Sequence, residues 1–157
     1  MDYEPNIPIK IIIQHDDFDV NSEIKALTMS KLNIGSIVMF LGFVRDLSSS
    51  KNLEFMELEH YPGMTEKALK KISTEALERW NVTGISIIHR IGRLLPGTKI
   101  VLVLVASAHR EQAFSAADFI MDFLKSSAPF WKKETTKDGS VWVDAKPSDA
   151  EALARWD

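Results

Sequence analysis

Apolar and polar positions change period several times along the chain, and each change marks an element. Ile7, Ile9, Ile11 and Ile13 alternate with polar or outward positions, as a half-buried strand requires. Ser22 to Leu32 reads as a short helix, and Ile37 to Val44 is apolar enough to predict a second strand in the centre of a sheet. The small polar stretch Arg45 to Asn52 predicts a mobile loop beside Arg45. From Leu53 to His60 the alternation slips phase: Leu53 and Phe55 fall on one face, Met56 and Leu58 on the other, which points to a bulge.

Pro62 and Gly63 then turn the chain into a helix over Thr65 to Trp80, with Leu69, Ile72, Ala76 and Trp80 as its buried stripe. Ile85 to Ile91 and Lys99 to Ala106 are strands joined through Leu94 to Thr98, where Pro96 and Gly97 suit a turn. Within the second of these, the unbroken apolar run Ile100 to Val105 predicts a central strand buried on both faces. Ser107 is the expected N-cap of the next helix, which puts His109 and Arg110 in its first turn. Ala113, Phe114, Ala117, Ile120, Met121 and Leu124 recur at helical spacing, and Pro129 stops that helix near Ser126 or Ser127. Val141 to Ala145 gives a last short strand after the Asp138-Gly139 turn. This order predicts an α+β fold, with helices packed on a mixed or antiparallel sheet in one domain spanning residues 1–157.

The chemistry concentrates around the long third helix. Its end carries Lys125, and Lys132 and Lys133 follow beyond an Ala-Pro-Phe-Trp plug. Its start carries His109 and Arg110, cations that oppose the helix dipole unless an anion shares the exposed N–H groups with them. A purely structural reading makes Lys125 a complement to the helix C-terminus and Phe130 and Trp131 a core closure. About 21 Å of helix separates Glu111 from Lys125, so the two basic ends reach one ligand only if it is extended or lies at a boundary between chains.

Composition narrows the classes. At 157 residues and 45% hydrophobic, the chain supports one domain with a proper core. A net charge of −3 argues against a dedicated nucleic-acid binder. The absence of cysteine excludes disulfides, thiolate metal sites and a cysteine persulfide on this chain. His60, His89 and His109 are dispersed without ligand spacing, so no metal site is expected, and neither Gly92 nor Gly97 belongs to a phosphate-cradling glycine motif. Glu57 and Glu59 read as solvent-facing carboxylates. The N-terminal MDYEPNIPIK lacks an apolar signal core and no run approaches a membrane span, so a cytoplasmic protein is expected.

Four ordered segments carry a resemblance over nearly the whole chain. They are GSIVMFLGFVRD at Gly35 to Asp46, LEHYPGMTEKAL at Leu58 to Leu69, HRIGRLLPGTKIVLVLVASAHREQAF at His89 to Phe114, and IMDFLKSSAPFWKKE with the following DGSVWVDA. Together they resemble the large catalytic subunit of molybdopterin synthase, the MoaE family. The resemblance implies an α/β hammerhead-type fold with an additional small antiparallel sheet. It implies a sulfurtransferase that converts cyclic pyranopterin monophosphate into molybdopterin by installing two dithiolene sulfurs. The sulfurs would arrive as a thiocarboxylate on the C-terminus of a small ubiquitin-like partner subunit, with the large subunit forming a homodimer inside a heterotetramer and using no cofactor of its own.

By matching position, the resemblance assigns substrate binding to Phe43, Val44, Arg45, His109, Arg110, Lys125, Lys132, Lys133 and Glu134, and catalysis to Lys125 and Lys132. Granted that substrate, Arg45, His109 and Arg110 suit charge-assisted recognition of its phosphate. A lysine with an ordinary pKa of about 10.4 is cationic at neutral pH and acts first as electrostatic stabiliser or acid. Lys125 is then the central catalytic residue and Lys132 its assistant. A second reading, from a different class, is a noncatalytic adaptor whose basic-rimmed apolar groove holds an extended partner tail, anchored on Phe130, Trp131 and Trp142.

Overall fold

A computed structural model describes residues 8–29, 31–46, 52–143 and 147–157. Twelve elements follow in chain order: β1 (Ile9–Gln14), α1 (Val20–Thr28), β2 (Ser36–Phe43), β3 (Leu53–His60), α2 (Met64–Arg79), β4 (Gly84–Arg90), β5 (Gly92–Leu94), β6 (Lys99–Ser107), α3 (Arg110–Ser126), β7 (Phe130–Thr136), β8 (Gly139–Val143) and α4 (Pro147–Ala154). They form two four-stranded sheets, ordered β1-β4-β6-β2 and β5-β3-β7-β8. In the first, β1 and β4 run parallel and the other neighbours antiparallel; the second is antiparallel throughout. The α+β expectation and the extra antiparallel sheet are both present.

The apolar run of β6 is buried because both faces are covered. Val101, Val103 and Val105 pack with Ile85 and Ile87 against Leu69, Ile72 and Ala76 of α2 and Ala113, Ala117 and Ile120 of α3. Leu102, Leu104 and Ala106 point the other way, with Ile88, onto Leu27 of α1 and Phe18. A third cluster, Val44, Leu53, Met56, Leu58, Ile91 and Leu94, fills the space under the second sheet. Phe130 packs against the first and third clusters at once, so the start of β7 sits on the seam between the sheets.

Several expectations need correcting. β2 is an edge strand, not a central one. Its apolar sequence reflects two covered faces, with Val38 and Phe40 against the first cluster and Ile37 and Leu41 against the second, while its outer backbone edge has no strand neighbour among the described residues. α1 begins two residues earlier than expected because Asp19 caps it, accepting from the Ser22 N–H at 2.9 Å. It ends at Thr28, and Leu32 is fully exposed. Ser107 remains the last residue of β6 and its hydroxyl donates to the Asn81 carbonyl at 2.8 Å, so His109 takes the N-cap position of α3 without a side-chain cap.

β7 and α4 were not expected, nor was the three-residue β5. The irregularity in β3 is real, with the register against β7 shifting between Leu53 and Phe55. Within the loop expected at Arg45 to Asn52, residues 47–51 lie outside the described residues, as do Ile7 of the first strand, Ser30 of the first helix, and Asp144 and Ala145 of the last strand. Among the described residues, no helix is long and apolar enough to cross a membrane.

Candidate active site

Lys125 lies in the last turn of α3, which Pro129 ends as expected: Ser127 and Ala128 both donate their backbone N–H to the Phe123 carbonyl. The chain then crosses Pro129 and enters β7. A buried hydroxyl holds that crossing. Thr65, fully buried at the start of α2, donates to the Pro129 carbonyl at 3.0 Å and accepts the Tyr61 N–H at 3.0 Å, so the end of β3, the start of α2 and the start of β7 share one side chain. Nothing in the helical periodicity singles out Thr65, because its importance lies in partners 4 and 64 residues away.

Strand pairing sorts the residues that follow. Leu58, Lys132 and Val143 stand opposite one another, and Phe130 and His60 continue the same face two residues on. Lys132 and Glu134 therefore share the inward face of the second sheet with Phe130. Lys133 is on the other face, where it pairs with Glu57 at 3.1 Å and lies 5.4 Å from the Trp142 ring centre. The two adjacent lysines are thus separated, Lys132 toward the site and Lys133 away from it.

His89 at the end of β4 completes this corner. Its ring stacks on Phe130 with centroids 4.1 Å apart and planes 20° from parallel, and its Nδ1 is 2.8 Å from the Arg90 carbonyl. Burial pushes the imidazole pKa down to about 4, and the charges of Lys125 and His60 act in the same direction against the pull of the Arg90 carbonyl. His60 itself faces Glu66 at 3.5 Å. Lys125, Lys132, His60 and His89 thus gather around one aromatic ring.

This depressed value has a measurable consequence. Above about pH 6.5 the imidazole is neutral whether folded or unfolded, and stability is at its full value. As pH falls from 6.5 toward about 4, the unfolded chain takes up the proton first and the folded state loses stability. The wild-type thermal midpoint should therefore drop more steeply over that interval than that of His89→Phe, which keeps a ring in the stack and cannot titrate. Equal slopes would show that His89 is not held neutral.

Arg45 follows β2 at the same end of the molecule. Val44 donates to the Thr98 carbonyl at 2.9 Å and accepts from Gly97 at 2.6 Å, and its side chain is buried in the cluster that Phe130 covers. Val44 accordingly fixes where Arg45 emerges and has no free group of its own to offer a ligand. Phe43 is half-exposed on the strand edge.

His109 and Arg110 are at the opposite end. Gly35 and Ser36 pair with Ser107 at that end of β6, whereas Phe43 pairs with Lys99 at the other. The eight steps of β6 from Lys99 to Ser107 span about 26 Å, and the helix from Arg110 to Lys125 about 22 Å. Within one chain, then, Lys125 and Lys132 share the corner around Phe130 and Arg45 leaves β2 at that same end of the fold, whereas His109 and Arg110 lie at the other end. Arg90 and Lys99 are cations at the lysine end with structural work, bonding to the carbonyls of His15, Lys99 and Phe18.

The family described as MoaE protein matches residues 13–127. The chain belongs to the MoaE family. Among curated MoaE relatives, the molybdopterin synthase catalytic subunit of Ralstonia nicotianae is 53% identical over 146 residues, covering 93% of this chain and 83% of that protein. The subunit of the same description from Pseudomonas aeruginosa is 51% identical over 147 residues, covering 94% and 98%. Among solved structures, the molybdopterin biosynthesis MoaE protein of Burkholderia ambifaria superposes with a TM-score of 0.81 at 54% identity, covering 94% of this chain and 97% of that one. The molybdopterin synthase structure from Staphylococcus aureus gives 0.76 at 34% identity, covering 86% and 96%.

Proposed function

We propose that this MoaE-family chain is the catalytic subunit of a molybdopterin synthase, moving two sulfurs from a thiocarboxylated small partner subunit onto cyclic pyranopterin monophosphate to make the dithiolene. The observation that carries the reading is the convergence of Lys125 and Lys132 on the Phe130–His89 stack, at the end of the fold where Arg45 leaves β2, in a chain with no cysteine. A cationic, partly desolvated corner suits a substrate with a phosphate and a reaction that develops negative charge on oxygen. With no cysteine to hold a persulfide, this chain takes its sulfur from a partner or substrate, and the MoaE resemblance favours the partner. In each transfer the thiocarboxylate sulfur attacks the pterin carbon and a carbon–oxygen bond there breaks; water then hydrolyses the resulting thioester, leaving the sulfur on the pterin and an ordinary carboxylate on the carrier. Lys125 stabilises the charge that develops on oxygen, and Lys132 binds substrate and assists proton transfer.

The distant basic pair fits this reading if two chains share each site. β2 has an edge with no strand neighbour among the described residues, with Met39 and Phe43 exposed along it. A second copy pairing antiparallel across that edge would set its Ser36 end beside this chain's Phe43 end. The partner subunit's His109 and Arg110 would then arrive next to Arg45 and Lys125, closing the gap of about 26 Å that one chain leaves open. The phosphate would be held by arginines from both copies, with Arg45 from one and Arg110 from the other.

The adaptor reading shares the partner and differs in chemistry. Supplying the pterin precursor and thiocarboxylated carrier separates the two: the synthase reading expects dithiolene product, and carrier binding without product would favour the adaptor.

A further inference from the structure

His89 is a titratable group within the lysine corner that the reaction as described leaves without a task. A carbonyl oxygen can only accept, so the 2.8 Å contact between Nδ1 and the Arg90 carbonyl places the ring proton on Nδ1. The face of Phe130 fixes the plane of the ring. What remains is Nε2, an uncharged lone pair in a corner populated by cations. We propose that His89 is a positioning residue for sulfur transfer, presenting Nε2 as a neutral acceptor that aims the Lys125 ammonium at the reacting carbon.

The inference rests on the assignment of Lys125 to the chemistry, and the choice of residue type supports it. A carboxylate in the same place would orient the ammonium more strongly, but it would also neutralise the field that a developing oxyanion needs. An imidazole held neutral orients without cancelling. A role as general base is disfavoured, since a group whose pKa is pushed down to about 4 has little affinity for a proton near neutrality. Phe130 links the parts, because it stacks on His89 and opens the strand that carries Lys132 on the same face.

Two amide substitutions separate positioning from packing. In His89→Asn the amide nitrogen takes the place of Nδ1 and can still donate to the Arg90 carbonyl, but nothing replaces Nε2. In His89→Gln the longer side chain puts an amide oxygen near the Nε2 position. With thiocarboxylated carrier and pterin precursor, His89→Asn should lower the single-turnover rate by about tenfold or more, while precursor KM and carrier affinity stay within about threefold. His89→Gln should recover a substantial part of that loss.

Thermal midpoints are read on the same samples, and if His89→Asn does not fold, His89→Phe, which keeps the stack and lacks the acceptor, reads the same loss. A folded variant without the acceptor that turns over within about twofold of wild type overturns the proposal. So does an equal rate loss in the Asn and Gln variants that tracks their thermal midpoints. Wild-type turnover in this assay measures the synthase reading itself, so a deficit confined to the variants speaks only to His89.

Discussion

Lys125→Ala should lose turnover by about two to three decades while remaining folded and able to bind the carrier. This is the range seen when one preorganised stabiliser of a developing oxyanion is removed. The fold should tolerate the change because Lys125 is exposed in the last turn of α3, and the helix is anchored by Ala113, Ala116, Phe119 and Ile120 in the core. Losing a cation at a helix C-terminus costs only about 0.3–1 kcal/mol. Single-turnover kinetics beside a thermal melt checks the prediction. A near-wild-type rate would remove Lys125 from the chemistry, and a collapse of the melt would mean that it serves the fold.

Mixing two defective variants should restore activity. Arg110→Ala removes a charge-assisted contact to the substrate phosphate, worth roughly 1.5–3 kcal/mol, or about one to two decades in precursor affinity. At subsaturating precursor it should therefore lose about one to two decades of rate, about a decade less than Lys125→Ala loses. If each site takes Lys125 from one chain and Arg110 from the other, a mixed dimer of the two variants contains one site free of both changes and one carrying both. Random reassortment makes half of the dimers mixed, so about a quarter of all sites should regain wild-type behaviour. Were each site built from a single chain, no mixture would contain an intact site and the activity would stay at the average of the two parents.

The sequence made the element around the chemistry legible before its geometry. The run Ile100 to Val105 predicted a doubly covered strand and the spacing from Ala113 to Leu124 a buried helix stripe, and both are present except at Phe114, which is exposed; β6 and α3 were therefore readable, along with the gap of about 21 Å between the basic ends of that helix. β7 was hidden. Phe-Trp-Lys-Lys-Glu has no decisive alternation of its own, and it is pairing with β3 on one side and β8 on the other that sends Lys132 inward and Lys133 out to Glu57. β2 misled for a related reason: covered faces make a strand apolar whether or not both of its edges are paired.

The supports of the site were harder still. Thr65 matters through two backbone hydrogen bonds, one of them to Pro129 64 residues away, and His89 through a ring stack 41 residues along the chain, contacts that local periodicity does not encode. Resemblance located the functional segments, whereas the fold decided which of their side chains face one another.

Sulfur accounting tests the central claim most directly. Carrier labelled with radioactive sulfur at its C-terminal thiocarboxylate is incubated with the pterin precursor and this chain, and label is followed in product and polypeptide. Label should pass into the pterin dithiolene with none stably attached to this chain, and a carrier ending in a plain carboxylate should bind and yield no product. Radiolabel remaining on this polypeptide after the carrier is removed would contradict direct transfer. Product from the carboxylate carrier, with no other sulfur source present, would contradict the assignment of sulfur transfer altogether.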